Sequence, residues 1–312
     1  MDEEQTGIVR GPEMRARLAK SPDAHKYAHG HALILSGGPG RGGAARLAAR
    51  GALRIGAGLV TLACPQPALQ ENAAQLNAIM LRPIDGAPGL RELLEDDRLN
   101  AVGLGPGLGV GMDTQQLVLA ALQASRPGTS GHRAEQGQPA TAARRAVVLD
   151  ADAVTRFARN PETLFDALHE NAVLTPHAGE FARLFPDIAS RMDASETTRP
   201  VLSKVDATRE AAARAGCTVL FKGPDTVIAD QTGRSRLNSA RDDRAAPWLA
   251  TAGAGDVLTG FITGLLARGL APMTATETAA WLHVECALSF GPGLVAEDIP
   301  EELPRVFANL GL

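Results

Sequence analysis

The stretch ATAGAGDVLTGFITGLLARG, residues 250–269, places one carboxylate, Asp256, at the head of a segment whose apolar residues recur at helical intervals. Val257, Leu258, Phe261, Ile262, Leu265 and Leu266 fall on one face, so the spacing predicts an amphipathic helix that begins near Asp256. Gly253, Ala254 and Gly255 leave the preceding backbone almost bare. Amide N–H groups there can approach a phosphate closely, and the positive end of the helix dipole favours the negative charge, so residues 253–255 read as an anion hole. A phosphate lying directly against Asp256 would be repelled. Its useful place is beside a transferred group, accepting the proton of an attacking hydroxyl. The competing reading is structural, because a glycine-flanked Asp at a helix start also serves as a cap.

Away from that helix, short apolar runs alternate with helical patterns: ALILS from Ala32, LVTLA from Leu59, AVGLG from Ala101, AVVLD from Ala146, AVLTP from Ala172 and TVLFKG from Thr218. Such alternation requires crossovers, and predicts an α/β fold with a mostly parallel central sheet covered by helices. The ends of these runs carry polar and glycine residues: GPGLG at 105–109, DAD at 150–152, TPHAGE at 175–180 and KGPDT at 222–226. Open parallel sheets bind ligands beyond the carboxyl ends of their strands, so these clusters are expected to face one crevice. Residues 1–24 read as a loose or peripheral N-terminal arm and residues 25–312 as one domain, within which the polar, Gly- and Pro-containing segment 125–143 is a mobile surface insertion.

With 312 residues, 45% of them hydrophobic and 21% charged, the chain can bury a large core. A net charge of -4 carries no footprint for nucleic acid and leaves small anionic ligands open. Cys64, Cys217 and Cys286 are odd in number, widely separated and set among apolar residues, which fits reduced core cysteines better than a disulfide framework. The N-terminus MDEEQTGIVR lacks an apolar signal core, and no run approaches the roughly 20 apolar residues that span a bilayer. The expected location is the cytoplasm, with no membrane partner.

Gly38-Pro-Gly-Arg-Gly-Gly43 matches the dinucleotide fingerprint formally, but the next strand ends Ala63-Cys64-Pro65 with no acid to hold a ribose. It reads instead as a ligand lid or phosphate contact. Lys222 is one of only four lysines and ends a strand just before a glycine. It is either a point charge for nucleotide phosphates, with Thr226 adding a hydroxyl, or an edge lysine in a hairpin turn. In TPHAGE, helix capping accounts for Thr175, Pro176 and Glu180 and leaves His177 over as a group for a substrate amide or phosphate. His25, His29 and His31 lack a ligand pattern, so no protein metal site is assigned. Asp150 and Asp152 stand as general base, magnesium contact or helix cap, with capping the simplest role for Asp152.

Taken in order, HKYAHGHALILSGG, GGAARLAARGALRIGAGLVTL, GLGPGLG, VLDADAV, LTPHAGEFARL, VLFKGPDTVIA and LATAGAGDVLTG closely resemble the bacterial ADP-dependent NAD(P)H-hydrate dehydratases over about residues 25–300. The resemblance implies a ribokinase-like three-layer sandwich and repair of the S epimer of hydrated NADH or NADPH, with ADP as phosphoryl donor and Mg2+ as cofactor. It also implies a homo-oligomer, a tetramer in the family, and cooperation with a separate epimerase, because residues 1–24 are too short to be one. By the same resemblance Ala44, Gly107 and His177 bind the hydrated nicotinamide nucleotide, and Lys222, Gly223, Pro224, Asp225 and Thr226 form the adenine-nucleotide phosphate loop. Gly255 becomes the anion-hole glycine and Asp256 the catalytic residue at the reacting hydroxyl. Ala246 replaces an asparagine common in the family, so that side chain's contact is lost or replaced here. The nearest rival is a small-molecule kinase of the same fold, such as a hydroxyethylthiazole or sugar kinase; TPHAGE together with GPGLG favours the dehydratase.

Overall fold

Buried on both faces, the apolar runs found in the sequence become the interior strands of one sheet. The structure is a computed structural model, and it describes residues 12–126, 145–192 and 201–312. Its strands are β1 His31–Leu35, β2 Leu59–Cys64, β3 Met80–Pro83, β4 Leu99–Leu104, β5 Ala146–Leu149, β6 Ala172–Leu174, β7 Thr218–Phe221, β8 Asp225–Ala229 and β9 Ser235–Ser239. Among the described residues they form a single nine-stranded sheet in the order β3-β2-β1-β4-β5-β6-β7-β8-β9. Pairing is parallel from β3 to β7, and the hairpin β7–β8 and the pair β8–β9 are antiparallel. The sheet is thus mostly parallel, as the alternation predicts.

The helices are α1 Pro12–Leu18, α2 Gly43–Arg54, α3 Leu69–Ala73, α4 Gly86–Leu93, α5 Met112–Ala124, α6 Asp152–Thr155, α7 Pro161–Phe165, α8 Ala178–Leu184, α9 Pro186–Met192, α10 Lys204–Ala215, α11 Ala254–Ala267, α12 Pro272–Phe290 and α13 Asp298–Asn309. They form the two outer layers. Successive residues of β1 show the division: Ala32 and Ile34 enter a core shared with α1, α2, α11, α12 and α13, while Leu33 and Leu35 enter one shared with α4, α5, α8 and α10.

Closeness of α2 and α11 is written in small residues. A Cβ added at Gly260 would stand 2.0 Å from the Ala48 carbonyl oxygen, and one at Gly264 2.7 Å from that of Ala52. The alanines of α2 and the glycines of α11 therefore let the two backbones touch, which fixes the first turn of α11 over the carboxyl ends of β1, β4 and β5.

Two expectations change at the termini of segments. Residues 12–18 of the arm expected to be loose or peripheral are not loose but a docked helix: Met14 and Leu18, four apart, are buried, and Arg17 pairs with buried Glu277 at 2.7 Å. Of the expected insertion 125–143, residues 127–143 lie outside the described residues. Ser125 is not part of a surface loop; buried at the end of α5, it donates to the Ala121 carbonyl at 2.9 Å. Among the described residues no helix is long and apolar enough to cross a membrane, and Cys64, Cys217 and Cys286 are free and buried.

Candidate active site

Asp256 lies in the first turn of α11, one residue later than the helix's second position, and does not cap it. The cap position belongs to Gly253, whose φ of 90° is the left-handed conformation that glycine takes without strain. Among the described residues the amides of Gly255 and Asp256 donate to no carbonyl, and the Asp256 carboxylate accepts no hydrogen bond. Of the expected anion hole at residues 253–255, the Ala254 amide donates to the Thr251 carbonyl at 3.4 Å; the unpaired amides of Gly255 and Asp256, at the positive end of a fourteen-residue helix, are suited to an anion and make a candidate anion hole. His283, buried on α12, steadies this end: its Nε2 lies 2.8 Å from the Ala254 carbonyl, and burial holds its pKa down at about 4, so it is neutral and donates.

Facing that turn is a buried ionic chain. Asp150, at the end of β5, is 2% exposed; Oδ1 accepts from the Lys222 ammonium at 2.7 Å, and Oδ2 accepts from the Thr259 hydroxyl of α11 at 2.8 Å. Lys222 also lies 3.9 Å from Oε2 of Glu180. Burial opposes the lysine's charge, yet Asp150, Glu180 and Asp256 outweigh it and hold the pKa above the usual lysine value. A Cβ on Gly255 would be 3.8 Å from the Lys222 ammonium, so the charge sits beneath the free amides. Burial, reinforced by Asp150 and Asp152 and opposed by Lys222, pushes Asp256 up to about 6. A half-buried carboxylate tuned toward neutrality, next to an anion hole and an ammonium, suits proton transfer during attack on a phosphate.

His177 is not left over from capping. It is the N-cap of α8, with Nδ1 accepting from the amides of Gly179 at 3.0 Å and Glu180 at 3.3 Å, while Glu180 Oε2 accepts from the His177 amide at 2.8 Å. The ring's Nε2 lies 3.5 Å from Oε1 of Glu180, and the ring is 55% exposed, so a ligand reaching Nε2 would meet it beside that carboxylate. Burial raises the pKa of Glu180, with Lys222 opposing. Asp152 likewise departs from the simplest reading: it is the first residue of α6, and its Oδ2 accepts from the amide of Gly109 at 2.7 Å, holding the GPGLG loop. That loop is wedged tightly, since a Cβ at Gly107 would lie 2.6 Å from the Arg41 carbonyl. Ala44 is half-buried in the first turn of α2.

Residues 222–226 form the β7–β8 turn. Lys222 donates its amide to the Pro176 carbonyl at 2.9 Å, the Thr226 hydroxyl donates to Gly223 at 2.8 Å, and Asp225 is held by Ser239 and Arg241. Lys204 ties the turn from below, donating to the carbonyls of Lys222 at 3.0 Å and Asp225 at 2.6 Å, and its burial lowers its pKa to about 8. Sequence reasoning passed over Lys204, Thr259 and His283; scarcity of lysine marks the first, and nothing local marks the others.

Residues 32–304 match the NAD(P)H-hydrate dehydratase family. The chain belongs to that family. A bifunctional NAD(P)H-hydrate repair enzyme of Salinibacter ruber is 37% identical over 306 residues, a match covering 93% of this chain and 50% of that protein. The chain thus spans about half the length of the curated relatives it matches. Among solved structures, an ADP/ATP-dependent NAD(P)H-hydrate dehydratase from Bacillus subtilis, co-crystallised with ATP and Mg2+, superposes with a TM-score of 0.73 at 26% identity over 98% of this chain and 99% of that one. A ribokinase-like superfamily protein from Enterococcus faecalis has a TM-score of 0.77 at 20% identity over 99% and 98% of the two chains, which speaks to the fold. The fold here is therefore ribokinase-like.

Proposed function

We propose that this chain converts the S epimer of hydrated NADH or NADPH back to the dihydropyridine, using ADP as phosphoryl donor. The observation that carries the reading is Asp256: a carboxylate free of hydrogen bonds, pushed up to about 6, beside the unpaired amides of Gly255 and Asp256 and the Lys222 ammonium. Asp256 accepts the proton of the ring hydroxyl as its oxygen attacks the terminal phosphate. Charge growing on the phosphoryl oxygens meets the amides at the head of α11 and the lysine charge. The oxygen of the original hydroxyl then leaves as phosphate, driven by the ring nitrogen's electron pair. Loss of a ring C–H proton restores the double bond. Ala44, Gly107 and His177 hold the hydrated nicotinamide, and Lys222–Thr226 the donor's phosphates, so much of the rate comes from orientation.

Among the described residues no group of three or more His, Cys, Asp and Glu could cage a metal ion. Asp150 is taken by Lys222 and Thr259, and Asp152 by Gly109. The donor set fits a magnesium carried mainly by the nucleotide's phosphates and water, touched at most by Asp256, which is how this small, strongly hydrated ion is usually held. When bound it neutralises phosphate charge.

The same reading has the enzyme in the cytoplasm, as a homo-oligomer, working with an NAD(P)H-hydrate epimerase. The bifunctional names of the relatives support the last point. The decisive experiment mixes hydrated NADH with ADP, ATP or no nucleotide and follows recovery of dihydropyridine absorbance. Recovery with ADP is expected; recovery equal to the nucleotide-free rate would reject the function, and recovery with ATP alone would reject the donor.

A further inference from the structure

A cavity of about 800 Å³ opens at the carboxyl ends of β1, β2 and β3 against the start of α5, within the range of small-molecule sites. Pro67, Ile84 and Leu117 give it apolar walls, and Asp85 and Asp113, both exposed, are among its lining residues. Among the described residues neither carboxylate has a hydrogen-bond or ion-pair partner, and the chemistry at Asp256 uses neither.

The cavity adjoins the reactive site. Gly37, part of its lining, packs on the GPGLG loop so closely that a Cβ there would lie 2.0 Å from the Gly107 carbonyl oxygen. Leu108 of the same loop also lines the cavity, while the next residue, Gly109, is held by Asp152 at 2.7 Å. One loop therefore has the cavity on one side and the carboxylates around Asp256 on the other. Arg41 stands on this divide. Its Nη1 is 3.2 Å from the point a Gly109 Cβ would occupy, and among the described residues its guanidinium has no partner.

We propose that this cavity receives the adenosine end of the hydrated dinucleotide, with Arg41 meeting the bridging phosphates and Asp85 and Asp113 selecting a free ribose 2′-hydroxyl over a 2′-phosphate. The identity of the ligand rests on the function proposed above. A carboxylate accepts hydrogen bonds from ribose hydroxyls and repels a phosphate at the same place. A guanidinium fork matches phosphate oxygens. Hydrated NADH is therefore preferred to hydrated NADPH.

Calorimetric titration of the full chain with NADH and NADPH, under saturating ADP, reads this without turnover. Wild type is expected to bind NADH at least about tenfold more tightly, and Asp85→Asn/Asp113→Asn to narrow the gap to about threefold or less by improving NADPH. Arg41→Ala weakens both. Leu117→Trp, which fills the cavity, weakens NADH while a separate ADP titration stays at the wild-type value, showing an intact fold. Equal affinities in wild type, a preference that survives both Asn substitutions, or NADH binding indifferent to Leu117→Trp each overturns the proposal. The hydrate assay separates the two ideas: turnover without discrimination rejects only this subsite, and discrimination without turnover rejects only the dehydratase chemistry.

Discussion

Lys222 and Asp150 meet at 2.7 Å across the ends of β7 and β5, the carboxylate being 2% exposed. The lysine therefore has a fixed partner before any nucleotide arrives. Its ammonium is positioned under the unpaired amide of Gly255 by Asp150, which is itself anchored to α11 through Thr259. The phosphate contact proposed for Lys222 and the stability of the fold would consequently be joined in one side chain.

Lys222→Met is expected to destabilise the protein by about 3 to 5 kcal/mol, because it strands a buried charge. Adding Asp150→Asn should recover a large part of that loss while leaving ADP affinity low. Urea titrations of the single and double variants check the first statement and calorimetry the second; a single variant as stable as its parent would mean that the pair contributes nothing.

Asp256→Asn should lower turnover by roughly two to four orders of magnitude, since the amide cannot accept the hydroxyl proton. The parent's kcat/KM should fall below an apparent pKa near 6. Stability moves in the opposite sense. The folded-state value of about 6 exceeds the ordinary 3.8, so between about pH 4 and 6 the folded chain holds the extra proton and stability falls as pH rises. The Asn variant should be more stable than the parent at pH 8 by up to about 3 kcal/mol, with the advantage gone below about pH 4. Thermal melts at both pH values measure this.

What the sequence disclosed follows from where each element lies. β1, β4, β5 and β7 are covered on both faces and read as unbroken apolar runs. β3 is largely exposed, and β8 and β9 lie toward the other edge with Asp225, Thr226, Arg236 and Asn238 among their residues, so no such run marks them. Asp256 was legible because its glycine run and apolar stripe are contiguous. Asp150 and Lys222 are 72 residues apart, and only the sheet order brings them together. The capping role of His177 was hidden for a simpler reason: a histidine ring seldom serves as an N-cap, where Ser, Thr, Asp and Asn predominate.

Gly260→Ala should cost at least about 2 kcal/mol, at the upper end of overpacking effects. The obstruction is the Ala48 carbonyl, 2.0 Å from the new methyl group, and backbone cannot turn aside as a flexible side chain would. Parting α2 from α11 would also shift the anion hole, so turnover should fall even below the melting temperature. A variant that melts with the parent would show that the helices have slack.

His177→Asn and His177→Ala separate capping from binding. Asparagine can still accept from the amides of Gly179 and Glu180, so the Asn variant should melt near the parent while the Ala variant loses about 1 kcal/mol. Both lose Nε2, and both should raise KM for the hydrated dinucleotide. An Asn variant with parental KM would leave His177 with capping alone.

Arg145 and the neighbouring segment should respond in opposite ways. The buried guanidinium donates to the carbonyls of Leu99 at 2.7 Å, Ala124 at 3.0 Å, and Leu94 and Asp96 at 2.9 and 3.2 Å. It is thus engaged in joining β4, the end of α5 and the turn after α4, and is not available to a ligand phosphate. Arg145→Leu leaves four carbonyls short of a donor, and loss of about 3 kcal/mol or more is expected from buried groups left unpaired. Deleting residues 127–143 and bridging the gap with a short glycine-serine turn keeps Ser125, Arg126 and Arg145. Loop-closure entropy changes by only about 0.6 kcal/mol per doubling of length, so the shortened protein should melt within a few degrees of its parent. If it instead keeps its melting temperature but shows a KM for the hydrated dinucleotide raised about tenfold, or about 1.4 kcal/mol, the deleted segment contributes to substrate binding.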